Sequence, residues 1–241
     1  MRVAVVSDIH SNLTAFQAVA ADFGEVDEVW CLGDVVGYGP DPNECIALLR
    51  EYPHLGVAGN HDWAAIGKVE TDVFNVAAAS AAAWTAQQLT DESRDYLLAL
   101  PLEIDREGWR LVHGSPRDPI WEYVLEPARA EELFSLFPGR GCLIGHSHIP
   151  MIFVETPDGA EYLDPEYGGE PLDLEESRVI VNPGSVGQPR DDDPRASYAL
   201  LDTTTGLLEF RRVAYDVGAV QERMQAADLP TPLWRRLSYG R

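Results

Sequence analysis

MRVAVVSDIH, Met1 to His10, passes from β-branched apolar residues directly into a serine, a carboxylate and an imidazole. The run Val3 to Val6 reads as a short buried strand, and Leu13 to Phe23 behind it reads as a helix. The unit then returns: VDEVWCLGD (Val26 to Asp34) as a strand, PNECIALLREY (Pro42 to Tyr52) as a helix, HLGVAGN (His54 to Asn60) as a further short strand. Strand, polar loop and helix in succession predict an α/β fold.

Farther along, Asn75 to Leu89 is alanine-rich and helix-prone, and Asp91 to Ala99 predicts a second helix capped by Thr90 with acids in its first turn. Residues of about 63–100 are expected to form a helical lid or flank. After Pro101 the segments LEID, WRLVHG, CLIGH, MIFVE, RVIVN, SYALLD and LLEFRRV alternate with the turn signals DREG, TPDG and TTTG, so the second half predicts mostly sheet. About 156–177 is acidic and rich in glycine and proline, the pattern of a solvated excursion from a hairpin. No repeat of fixed period interrupts the chain, and one domain over 1–241 is expected.

The 241 residues are 45% hydrophobic, ample for a buried core. Forty acidic residues against eighteen basic ones give a formal charge of -22, a field that repels nucleic acids and anionic membrane surfaces. Cys31, Cys45 and Cys142 form no CxxC pair, which argues against a disulfide framework or zinc ribbon. The opening apolar run is too short for a signal peptide, and no apolar stretch reaches the ~18 residues of a membrane span. A cytoplasmic location is the expectation.

Chemistry gathers at the strand ends. Five of the six histidines fall in SDIH (Ser7 to His10), GNHD (Gly59 to Asp62), VHG (Val112 to Gly114) and GHSH (Gly145 to His148), and Gly33-Asp34 adds a carboxylate. In an open α/β sheet, residues that follow the strands converge in one crevice. Asp8 and His10 are two apart, as are His146 and His148, and an extended backbone would point each pair to one side. Any one of these motifs alone is more often a polar turn than a ligand. Together, in order, each after an apolar run, they favour a metal site whose mixed imidazole and carboxylate donors suit manganese, iron, zinc or nickel.

DIH, GDVVGYG, GNHD, HG and GHSH resemble, in order and across about Met1 to Ser185, the motifs of calcineurin-like metallophosphoesterases. The resemblance implies a four-layer αββα sandwich, two mixed β-sheets flanked by helices. It also implies two divalent ions, manganese or iron first, with zinc, nickel or cobalt as alternatives. Asp8, His10, Asp34 and His148 would hold one ion; Asp34, Asn60, His113 and His146 would hold the other, with Asp34 shared. The implied reaction is hydrolysis of small-molecule phosphomonoesters or phosphodiesters by a hydroxide between the ions, with His61 as the non-ligand catalytic histidine and Asp62 orienting it.

Substrate contacts are less marked. Relatives acting on phosphoproteins or dinucleoside polyphosphates typically carry an arginine in the loop after the GD motif, and GDVVGYGP has none. Arg190, beside the glycines of NPGSVGQPR, and Arg117, in HGSPRDP, are the candidate phosphate contacts, each with a neighbouring aspartate as the alternative partner. Asn12 and Tyr38 are further polar candidates. A dinucleoside polyphosphate hydrolase, a serine/threonine protein phosphatase and a non-catalytic scaffold of the same fold are the alternatives.

Overall fold

The computed structural model of the chain describes residues 1–174 and 177–241. In chain order it runs β1 (Arg2–Val6), α1 (Leu13–Asp22), β2 (Glu28–Cys31), α2 (Pro42–Leu49), β3 (His54–Gly56), α3 (Asn60–Ala65), α4 (Val76–Gln88) and α5 (Asp91–Ala99). Then come β4 (Glu103–Arg106), β5 (Trp109–Val112), α6 (Pro127–Leu133), β6 (Gly141–Leu143), β7 (Met151–Thr156) and β8 (Gly159–Leu163). The described chain closes with β9 (Leu172–Asp173), β10 (Val179–Asn182), β11 (Ala196–Asp202), β12 (Leu207–Val213), α7 (Val217–Ala226) and α8 (Thr231–Arg235).

Two mixed six-stranded sheets result, ordered β3-β2-β1-β11-β12-β9 and β4-β5-β6-β10-β7-β8. In the first, β1, β2 and β3 are parallel and β11 joins β1 antiparallel. In the second, β5, β6 and β10 are parallel. The alternation within β1 shows why the sheets face each other. Val3 and Val5 point into an apolar layer shared with Trp109, Leu111, Leu143 and Val181 of the second sheet. Ala4 and Val6 point the other way, onto Phe16 and Val19 of α1 and Ile46 and Leu49 of α2. The second sheet turns Val112, Cys142 and Ile180 outward onto Ala130 and Leu133 of α6. With helices outside both sheets, the expected four-layer sandwich is present.

Two parts differ from the sequence reading. The second half carries three helices not expected there, α6, α7 and α8. The last two pack on Tyr38 and α4 through Val220, Met224, Leu233 and Leu237. The acidic excursion at 156–177 includes the expected hairpin, β8 pairing with β7, but β9 then crosses to the edge of the other sheet by pairing with β12. Glu175 and Glu176 of that excursion lie outside the described residues. No helix among the described residues is long and apolar enough to cross a membrane.

Candidate metal centre

Every ligand candidate follows a strand with at least one parallel neighbour. Asp8 and His10 follow β1, Asp34 follows β2, Asn60 opens α3 after β3, His113 follows β5, and His146 and His148 follow β6. All seven are buried.

The backbone at these positions is not the extended chain that the i, i+2 spacing suggested. Asp8, His10, Asp34, His146 and His148 have φ of 52°, 48°, 53°, 66° and 63°, in the left-handed region. Such conformations cost roughly 1–3 kcal/mol each and persist only where surroundings enforce them. Here the enforcement is visible. Asp8 N–H donates to Gly33 O at 3.1 Å and His10 N–H to Asp34 O at 2.9 Å, while Gly187 N–H and the Ser185 hydroxyl both donate to Asp8 O. Segment 182–190, expected to offer its glycine N–H groups to phosphate, therefore spends Gly187 on the Asp8 loop and Gly184 on the side chain of Asn182.

Each carboxylate gives one oxygen to the protein and aims the other inward. Oδ2 of Asp8 accepts from the Ser7 hydroxyl at 2.6 Å and from His146 N–H at 3.1 Å, leaving Oδ1 buried with no partner. Oδ1 of Asp34 accepts from His61 N–H at 2.8 Å, and its Oδ2 lies 3.6 Å from His10 Nε2 and 3.5 Å from His113 Nε2. Gly59 is required at this point, because any Cβ there would collide with the Asp34 carboxylate.

The imidazoles are sorted in the same way. Nδ1 of His10, His113 and His148 faces the carbonyls of Val36, Leu32 and Gln188 at 3.2, 2.8 and 2.6 Å. A carbonyl only accepts, so each ring carries its proton on Nδ1 and turns the Nε2 lone pair inward. These lone pairs meet other acceptors. His10 Nε2 is 3.0 Å from His148 Nε2, and His113 Nε2 is 3.0 Å from Asn60 Oδ1; His146 Nδ1, at 3.2 Å from His113 Nε2, is a donor or an acceptor according to its tautomer. By distance, Asp8, His10 and His148 form one group of donors and Asp8, Asp34 and His113 a second.

Without cations this arrangement is electrostatically costly. Burial pushes the Asp8 carboxyl up to about 7 and Asp34 well above the usual carboxylate range, while it pushes His146 down to about 2 and holds His10 and His148 well below their usual value. Lone pairs aimed at one another, and a buried carboxylate oxygen with nothing to accept, are what a pair of divalent cations satisfies. The donor set fits them.

Residues 1–206 match the calcineurin-like phosphoesterase superfamily domain. The chain belongs to that superfamily. It is 41% identical to the uncharacterized protein MJ0912 of Methanocaldococcus jannaschii, over 99% of this chain and 98% of that protein. It is also similar to the metallophosphoesterase from Sphaerobacter thermophilus, at 44% identity and a TM-score of 0.91, covering 100% of this chain and 99% of that one. Hypothetical protein PH1004 from Pyrococcus horikoshii OT3 shares the fold at 23% identity and a TM-score of 0.81, covering 100% and 98%.

In this superfamily member the remaining candidates separate. His61 sits beside the donor cluster, buried among Tyr38, Phe74 and His10 at ring distances of 4.2, 4.7 and 5.0 Å, with no partner for Nδ1. Burial, then the charge of Arg190, holds its pKa well below the usual value, so at neutral pH it is a neutral imidazole. Asp62 does not orient it. Its carboxylate accepts instead from the N–H groups of Asp34, Val36 and Gly59 at 2.8, 3.1 and 3.0 Å, because α3 turns the His61 ring toward Tyr38 and Phe74 and Asp62 back into the loops. Asn12 caps α1, accepting from Ala15 N–H and donating to Gly187 O. Arg117 is drawn away by Glu122 and Glu132 and does not line the cavity over the cluster.

That cavity, of about 330 Å³, is lined by Tyr38 and Arg190 among the expected substrate contacts, and by His61 and four of the ligand candidates, Asp34, Asn60, His146 and His148. Phe74, Trp121, Tyr123 and Arg236 also line it and carry no sequence motif. The signal for Trp121 and Tyr123 is faint: two aromatics two apart, in WEY, shortly after the HG motif.

Proposed function

We propose that the chain is a two-metal phosphoesterase that hydrolyses small-molecule phosphomonoesters or phosphodiesters, acting as one domain over 1–241 and in the cytoplasm. The observation that carries this reading is the set of inward-facing acceptors on Asp8, His10, Asp34, His113 and His148, which a pair of divalent cations would satisfy together. Asn60 and His146 complete the set through their 3.0 and 3.2 Å approaches to His113. Bound there, divalent manganese or iron supplies Lewis acidity, polarising a phosphoryl oxygen and acidifying water.

The protein's own groups then have distinct tasks. Asp34, fixed by the His61 N–H, turns Oδ2 to both His10 and His113 and would be shared between the ions, although by distance alone Asp8 is the member common to the two donor groups. Asp62 holds the loops carrying Asp34 and Gly59 in register. His61, neutral and lacking a partner for Nδ1, is placed to donate a hydrogen bond to the leaving oxygen or a phosphoryl oxygen; approach of a phosphate anion raises its proton affinity. Tyr38 packs against the His61 and His10 rings and so fixes both. A scaffold without catalysis is disfavoured because all seven donor positions hold suitable side chains. Three buried, unbridged thiols accord with a reducing compartment.

The test is metal analysis of purified protein together with its activity on p-nitrophenyl phosphate and bis-p-nitrophenyl phosphate. Two transition ions per chain and metal-dependent hydrolysis of either ester are expected. A fully metal-loaded protein inert toward both esters and toward nucleotide esters overturns the reading.

A further inference from the structure

In a chain with 40 acidic residues, the cavity over the metal centre has a single carboxylate among its lining residues, the buried Asp34. Its volume of about 330 Å³ lies at the low end of small-molecule sites, about 300–1,000 Å³. Its positive charge comes from Arg190 and Arg236, both half-buried. Neither pairs with a side-chain carboxylate among the described residues. Both donate to Oε1 of Gln188, at 2.9 and 3.1 Å, so one amide oxygen holds two like charges side by side. Arg190 also donates to the Tyr38 hydroxyl at 3.4 Å, and Arg236 to the carboxyl oxygen of Arg241. The neighbouring acids are engaged elsewhere: Asp191 pairs with Arg212, and Asp192 with Arg241. Nε of Arg190 is buried and has no partner.

Two half-buried guanidinium groups side by side, with no side-chain carboxylate among the described residues against either, call for an anion. The two are not equivalent. Arg190 acts on the buried His10, His61 and His148, whereas Arg236 acts on Tyr38 and itself feels Arg190, one step farther from the cluster. The same cavity presents flat apolar surface: Phe74 and Trp121 meet edge to face at 5.7 Å, and Tyr123 is 48% exposed. Such faces stack planar rings.

We propose that the substrate is a free nucleotide carrying a second phosphate. The phosphoryl group to be cleaved lies over the cluster beside Arg190, the further phosphate lies between Arg190 and Arg236, and the base lies against Phe74 and Trp121. Only the first of these placements rests on the phosphoesterase reading. Arg236 lies beyond residues 1–206, so superfamily membership does not supply this part of the site. A polynucleotide is disfavoured by the cavity's size and by the formal charge of -22.

Calorimetric titration of the manganese-loaded protein with α,β-methylene-ADP, with AMP in the form of its non-hydrolysable phosphonate analogue, and with inorganic phosphate tests the assignment without turnover. The ADP analogue is expected to bind at least tenfold more tightly than AMP, and AMP more tightly than phosphate. Arg236→Ala should cost the ADP analogue about tenfold more than it costs AMP, with partial recovery in Arg236→Lys; Trp121→Ala should cost both nucleotides more than phosphate. Equal affinities of the wild-type protein for the ADP analogue and AMP overturn the second-phosphate site, and equal affinities for AMP and phosphate overturn the base site. Hydrolysis of simple esters with either of those results removes this inference alone. The expected binding order without hydrolysis of any phosphoester removes the phosphoesterase reading and keeps the nucleotide site.

Discussion

Nε2 of His10 and Nε2 of His148 face each other at 3.0 Å, each on a ring whose Nδ1 proton is given to a main-chain carbonyl. Neither nitrogen has a proton for the other, so the pair is a contact between two acceptors. A protein gains nothing by holding such a contact at the end of β1 and β6 unless something positive sits against it.

Oδ2 of Asp34 lies 3.6 Å from His10 Nε2 and 3.5 Å from His113 Nε2, and if it is shared between the ions as proposed, Asp34→Asn should lower metal content below two ions per chain and cut ester hydrolysis by more than about 10²-fold. Elemental analysis and steady-state rates on the same preparation check this. Full activity with unchanged metal content would remove Asp34 from its shared position.

Metal stabilisation should grow with pH. With no cation bound, Asp8 keeps its proton up to about 7 in the folded chain, against 3.8 ordinarily. The folded state thus binds a proton that the unfolded state has shed. This group's contribution is greatest below pH 3.8 and is lost as pH rises toward 7. A cation must displace that proton, so the rise in Tm on adding manganese to chelated protein should increase from pH 5 to about 7 and level off above it. A Tm rise independent of pH would contradict Asp8 as a ligand.

Asp62→Asn replaces a buried carboxylate that accepts three main-chain N–H groups by an amide with a single acceptor oxygen. A stability loss on the order of 3 kcal/mol is expected in chemical denaturation, with the His61 ring contacts left in place. Were Asp62 instead an orienter of His61, the variant would lose rate with little loss of stability.

His61→Ala should retain both metals and lose more rate on an alkyl or nucleoside phosphoester than on a nitrophenyl ester, by about 10² to 10⁴ on the demanding substrate. A nitrophenolate leaves unaided; an alkoxide does not. Equal losses, with chemistry limiting both reactions, would make His61 an electrostatic or binding group. Loss of a metal would place it in the structure of the centre.

The ligand positions are legible in the sequence because each lies just past an apolar β-branched run, and parallel strands deliver their carboxyl ends to one edge. Their left-handed backbone is not legible, since Asp and His enter that region only where tertiary hydrogen bonds such as Gly187 N–H to Asp8 O enforce it. The His61–Asp62 pairing fails for a related reason: adjacent residues entering a helix point about 100° apart, and only one can face the cavity. Helices α7 and α8 escape a reading tuned to sheets because their apolar residues pack on Tyr38 and α4. Arg236 is invisible to motif reading, one arginine in a short turn whose position depends on that packing.

The central place of β1 has a consequence for how the molecule is made. Residues 2–6 pair with β2 on one side and, on the other, with β11 at residues 196–202. During synthesis the strand that carries Asp8 and His10 waits, one edge unpaired, until nearly the whole of both sheets has emerged. Long sequence separation slows such closures, and an open strand edge recruits other chains in the meantime. Yield on expression should therefore depend more on chaperone supply and growth temperature than the folded protein's own stability would suggest, and fragments ending before β11 should aggregate although they contain all seven donor residues.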